Sequence, residues 1–201
     1  MKINGRRRED SVSDINYHRV FIAIPVDKDL QGYIQQTVKN LYPNNAFLRW
    51  IQAENYHITL HYLGSVTEKQ LRNIITKITP IIHGYSSFSL KLEVASGFPS
   101  IHKPRALAVL VKLSFLLNNL YEETKQAITS CDVILPPRAY TPHLAVARVK
   151  LGGWIGASKR MPNPLKIPTQ TLNIYQSLAD ESITKFRIIN SIELSRCTIE
   201  A

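Results

Sequence analysis

Two histidines in this chain share a local setting. His57 opens HITL and His143 opens HLAV, each at the start of a β-rich run with apolar residues at the second and fourth positions. Side chains alternate across a strand, so Ile58 and Leu60 anchor one face while His57 and Thr59 are presented on the other. Leu144 and Val146 anchor the second run in the same way and present His143 and Ala145. If the two runs are related by a pseudo-two-fold axis, the histidines face each other across a groove. Two imidazoles so placed can divide the labour of in-line phosphoryl hydrolysis without a metal: one accepts a proton from the attacking water and the other protonates the leaving oxygen. A pKa near neutrality suits histidine to both tasks. The Thr59 hydroxyl can donate to a nonbridging phosphate oxygen, where charge must be held during reaction.

Other uses of the same residues are weaker. His57 and His61 have the i, i+4 spacing that chelates zinc on a helix, but on a strand four residues span about 13 Å, too far for one ion. The spacing does put His61 on the predicted face of His57, as a partly exposed neighbour of the groove. His18, His83 and His102 have no partner visible in the sequence. Cys131 and Cys197 lie far apart without CxxC or Cys/His spacing, so neither a zinc cage nor a disulfide framework is expected, and a reducing cytoplasm is the expected location. No metal and no cofactor is called for.

The elements that must position these residues follow from periodicity. RVFIAI is a β-rich run; after Pro25, Leu30, Ile34, Val38 and Leu41 recur at helical spacing behind an Asp27 cap. FLRWI and YHITLHYL read as two strands, the second closed by Gly64. Thr67 with Gln70 fits a capping box, and Leu71, Ile74, Ile75 and Ile78 form the stripe of a second helix ending near Pro80. FSLKLEVA and ALAVLV are strands joined by GFPSIHKPR. Leu116, Leu120, Thr124 and Ile128, with Leu117 and Tyr121, mark a helix from Ser114 to Ser130, before the strand YTPHLAVARV. The Gly- and Pro-punctuated basic segment 152–166 reads as a loop in which Trp154, Lys159 and Arg160 could stack on a base and hold phosphates. Two last strands are placed at 165–175 and 186–194. Strand, helix and histidine strand occur twice, as in a duplicated unit, which gives an α+β fold of two similar lobes.

The 201 residues carry 25 Lys and Arg against 15 Asp and Glu, a formal charge of +10, and such a field favours an acidic partner. The apolar runs are too short to span a bilayer, so no membrane association is expected. Residues 1–16 lack an apolar signal region and read as a flexible basic tail, leaving 17–201 as a single bilobal domain.

RVFIAIP, RWIQAENYHITLHYLG, GFPSIHKPRALAVLV, YTPHLAVAR and LNIYQSL, in this order and spacing, resemble the 2H phosphoesterases, and within them the bacterial RNA 2',3'-cyclic phosphodiesterases, also called 2'-5' RNA ligases. The resemblance runs from Arg19 to Leu194. It implies two pseudo-two-fold related antiparallel sheets with helices packed outside and a central groove. The implied activity is hydrolysis of RNA or oligonucleotide ends carrying 2',3'-cyclic phosphate to 2'-phosphomonoesters, with reversible 2'-5' ligation. A monomer is expected. Carried over by position, His57 looks like the general acid, Thr59 a phosphate donor and His143 the general base. Tyr62 and Arg148, each five residues after a motif histidine, resemble substrate contacts. Strict alternation would turn both away from the groove, so a bulge or strand end must turn them in. The family's second threonine is replaced by Ala145, and one lost hydrogen bond to a charged group is worth about 1.5 to 3 kcal/mol, roughly 10- to 150-fold in rate. The alternative expectation is a nucleotide- or RNA-binding module that keeps the groove and has lost the chemistry.

Overall fold

Apolar stripes spaced four residues apart set the helices, and alternating or fully apolar runs set the strands. The computed structural model describes residues 17–178 and 185–196; the basic tail and Cys197 lie outside the described residues. In chain order the elements are β1 (Tyr17–Pro25), α1 (Lys28–Leu41), β2 (Leu48–Trp50), a 3-10 turn (Ala53–Asn55), β3 (His57–Thr67), α2 (Glu68–His83), β4 (Phe88–Phe98), β5 (Ala106–Val111), α3 (Phe115–Thr129), β6 (His143–Val149), β7 (Lys159–Thr169), β8 (Thr171–Leu178) and β9 (Lys185–Glu193).

The helices follow their stripes. Ile34 and Val38 are the buried face of α1, and Ile74, Ile78 and Ile82 that of α2, which runs past Pro80 to His83. The Thr67–Gln70 capping box is formed in both directions, a feature worth about 1 kcal/mol. Asp27 does precede α1, but its side chain makes no capping hydrogen bond. In α3, capped by Ser114, the stripe is Leu117, Leu120, Tyr121, Thr124 and Ile128, whereas Leu116 is exposed.

All pairings between the strands are antiparallel, in the order β7-β4-β5-β6-β3-β1-β8-β9, with β2 added on β6. Two halves, β3-β1-β8-β9 and β6-β5-β4-β7, repeat the same outward order. They meet where Ile58 registers with Leu144, and beyond that point β2 takes over the free edge of β6. The helices cross between the halves: α1 packs against β7, while α2 and α3 pack on each other and on β3. One apolar cluster, including Ile24, Ile58, Leu107 and Leu144, runs behind both halves.

Three expectations are corrected. Gly64 does not close β3; it sits inside it at φ +69°, at a register shift against β1, a conformation glycine reaches without Cβ strain. Residues 159–166 of the expected loop belong to β7, which pairs with β4 from Phe88↔Thr169 to Ala95↔Lys159. Its prolines are tolerated because β7 is an edge strand with one side unpaired. The expected strand 165–175 is therefore divided, its first residues belonging to β7 and the rest to β8.

Candidate active site

The registered pair Ile58↔Leu144 points into the core, so the residues flanking it on both strands point to the opposite, groove face. His57 and Thr59 of β3 and His143 and Ala145 of β6 thus come together at the seam between the halves. The residues beneath them are small on both sides: Ala23 registers with Thr59, and Ala108 with Ala145.

The two histidines are held alike. His57 Nδ1–H donates to the carbonyl of Asn55 at 2.7 Å, and His143 Nδ1–H donates to that of Thr141 at 2.8 Å, in each case two residues upstream. A carbonyl only accepts, so Nδ1 carries the proton and each Nε2 is left for the groove. Burial is the main influence on both rings and lowers both pKa values; the hydrogen bonds oppose it, and His57 is further lowered by the charge of His143.

Their surroundings differ. His57 lies among aromatic rings, with centroids 4.9 Å from Phe21, 5.8 Å from Tyr175 and 5.3 Å from Phe186, the last edge-on. His143 is stacked on Phe98 at 3.7 Å. An open cleft of about 450 Å³, lined by Gln52, Glu54, Asn55 and Phe186 among others, adjoins the His57 side. None of these rings or carbonyls was singled out from the sequence. For Asn55 and Thr141 the signal was their equal offset before the histidines; for Phe98 and Phe186, on other strands, there was none.

Both halves carry the bulge that Tyr62 and Arg148 require. Against β1 the register passes from Ala23↔Thr59 to Ile22↔His61, so Leu60 is the extra residue; against β5 it passes from Ala108↔Ala145 to Leu107↔Ala147, so Val146 is extra. Each bulge lies three residues after its histidine and reverses the alternation beyond it. Tyr62 therefore returns to the groove face, where its hydroxyl accepts a 3.2 Å bond from Thr59 Oγ1. Arg148, exposed and next to the buried Ala147, returns likewise.

The same reversal corrects the placement of His61. It is 3% exposed and turned into the core, its Nε2 2.8 Å from Thr124 Oγ1 and its ring stacked on Tyr121 at 4.7 Å. His57 and His61 thus leave β3 on opposite faces, and no ion can bridge them. Lys159 of the expected nucleic-acid loop bonds the Leu41 carbonyl and sits over the Tyr42 ring, a structural task. Trp154 remains exposed.

A sheet split at a seam with one histidine on each side, each aimed by a carbonyl two residues before it, is the arrangement of a two-histidine phosphoesterase. The model of the LigT-like phosphoesterases matches residues 24–108. The chain is 33% identical to a Bacillus subtilis RNA 2',3'-cyclic phosphodiesterase over 135 residues, covering 67% of this chain and 73% of that protein. It is 28% identical to a Methanothermobacter thermautotrophicus protein of the same name, over 66% and 71% of the two chains. The Escherichia coli LigT crystal structure with 3'-AMP superposes with a TM-score of 0.76 at 17% identity, over 90% of this chain and 100% of that one. The chain belongs to the LigT-like phosphoesterase family.

Proposed function

We propose that the protein hydrolyses 2',3'-cyclic phosphate ends of RNA to 2'-phosphomonoesters. The observation that carries this reading is the paired, carbonyl-locked presentation of His57 and His143 beside Thr59 at one seam. The name of the Bacillus subtilis relative supports the substrate class.

In this reading the cyclic phosphate sits between the two histidines with Thr59 Oγ1 donating to a nonbridging oxygen, released from its bond to the Tyr62 hydroxyl. A water attacks phosphorus, and its proton passes to Nε2 of His143. The bond from phosphorus to the 3'-oxygen breaks, and that oxygen takes the proton on Nε2 of His57. The 2'-oxygen keeps the phosphate. One histidine starts neutral and the other charged, so the pair turns over with one proton between them. With a second chain's 5'-hydroxyl in place of water, the same attack on the cyclic phosphate forms a 2'-5' phosphodiester; in reverse, the 3'-hydroxyl attacks that diester, His57 takes its proton and His143 protonates the departing 5'-oxygen. Tyr62 and Arg148 contact the substrate from the two flanks.

Ala145 favours a second reading, a binding module. The deciding experiment is hydrolysis of a short RNA ending in 2',3'-cyclic phosphate, with EDTA present. The expected result is a 2'-phosphate product, loss of about 10²- to 10⁴-fold in His143→Ala, and an increase of about 10- to 150-fold in Ala145→Thr. Binding of the RNA without turnover by the wild type establishes the module instead.

A further inference from the structure

The carbonyls that aim the two histidines are held by different means. Asn55 closes the 3-10 turn Ala53–Asn55: its N–H donates to the Gln52 carbonyl and the next N–H, of Tyr56, to that of Ala53, both at 3.0 Å. Thr141 has no such frame. Residues 133–142 belong to no helix or strand. Among the described residues their backbone hydrogen bonds are Arg138 N–H to the Pro136 carbonyl at 2.8 Å and Val111 N–H to the Pro142 carbonyl at 3.0 Å. The peptide that supplies the Thr141 carbonyl ends on Pro142 and so has no N–H to be bonded. Downstream the chain is fixed by the Val111 bond and by burial of Pro142; upstream it must be fixed by a side chain.

That side chain is Tyr140. Its ring lies on Tyr121 with centroids 4.1 Å apart and planes 3° from parallel, and Tyr121 is stacked in turn on His61 at 4.7 Å. The Tyr140 hydroxyl is buried without a hydrogen-bond partner, so the ring face is what holds the residue. The base of the stack is firm: Tyr121 belongs to the buried stripe of α3, and His61 is tied to the same helix through Thr124. We infer that Tyr140 is a positioning residue: seated on Tyr121 and His61, it sets the Thr141 carbonyl and through it the direction of the His143 ring. His61 leaves β3 on the face opposite to His57, so the stack acts on His143 from behind the groove and touches no substrate. The direction of the ring stands by itself; its effect on turnover rests on the phosphodiesterase reading above. A misdirected base costs rate, since displacement by about 1 Å is worth on the order of 10²-fold.

The test uses Tyr140→Leu, which removes the stacking face, and Tyr140→Phe, which keeps it. Nitrogen NMR of the imidazoles above about pH 8, where both rings are neutral, shows which ring nitrogen carries the proton. In Tyr140→Leu the expected result is that His57 keeps its proton on Nδ1 while His143 shifts toward the mixture of tautomers of a free ring; Tyr140→Phe matches the wild type. On an RNA ending in 2',3'-cyclic phosphate, kcat of Tyr140→Leu falls about 10- to 100-fold with KM nearly unchanged, and Tyr140→Phe restores it. An unchanged His143 tautomer in Tyr140→Leu, an equal change at His57, or the same change in Tyr140→Phe overturns the assignment. Should Tyr140→Leu not fold, Tyr140→Met, which refills the space against Tyr121 without a planar face, carries the same expectations. Failure of both to fold makes Tyr140 a residue of the fold alone and overturns the assignment. Absence of turnover in the wild type, or a kcat unmoved by a changed tautomer, removes the phosphodiesterase reading, and the positioning is then decided by the NMR result.

Discussion

His61 makes the protein acid-sensitive by an amount that can be worked out. The ring is buried against Tyr121 and Thr124, and its pKa is pushed down to about 3, first by burial and then by the charge of Lys125, against an opposing hydrogen bond to the Tyr121 backbone carbonyl. In the unfolded chain it titrates near 6.5. Its folded value is the lower one, so between these values the unfolded state binds the extra proton. The contribution of the neutral ring is complete above pH 6.5 and is lost as the pH falls toward 3, at about 1.4 kcal/mol per unit. At pH 4.5 that amounts to about 3 kcal/mol, or roughly 5 to 10 °C in Tm for a chain of this size. His61→Phe keeps the stack on Tyr121 and removes the titration. It leaves no buried donor stranded, because the Thr124 hydroxyl donates to the Leu120 carbonyl and only accepts from His61. Urea unfolding at pH 7 and pH 4.5 should show wild type losing about 3 kcal/mol more than His61→Phe over that interval. Parallel losses in the two proteins would refute the argument.

The two groove histidines titrate below the ordinary value, so the singly protonated pair is most populated in acid; kcat/KM should peak below pH 6.5 and fall about tenfold per unit well above the peak. A maximum above pH 7.5 in a buffer series would contradict this. Thr59→Val should lower kcat/KM about 10- to 150-fold with the unfolding midpoint nearly unchanged; a loss of less than about threefold in steady-state kinetics would remove Thr59 from the phosphate site. Thr67→Ala removes the α2 capping box and should cost about 1 kcal/mol in urea unfolding while kcat stays at the wild-type value.

The repeated strand, helix and histidine strand was legible because burial imposes period 2 on β3 and β6 and a four-residue stripe on each helix. The cap of α2 was legible because Thr67 acts on backbone within three residues. What depends on strands distant in sequence was not. Strict alternation placed His61 beside His57, and only the extra residue Leu60, visible as a register shift against β1, reverses it. The prolines and glycines around Lys159 suggested a loop, because an edge strand tolerates the same residues. Phe98 stacks on His143 and Arg49 pairs with Arg148 through sheet neighbours that local sequence does not encode.

The seam at Ile58↔Leu144 also has a mechanical meaning. Two half-sheets joined by one registered pair are tied by what lies behind them: one apolar cluster runs across both, and α1 reaches from its own half to β7 of the other. His57 and His143 adjoin the registered pair, so their mutual spacing is set by that shared core.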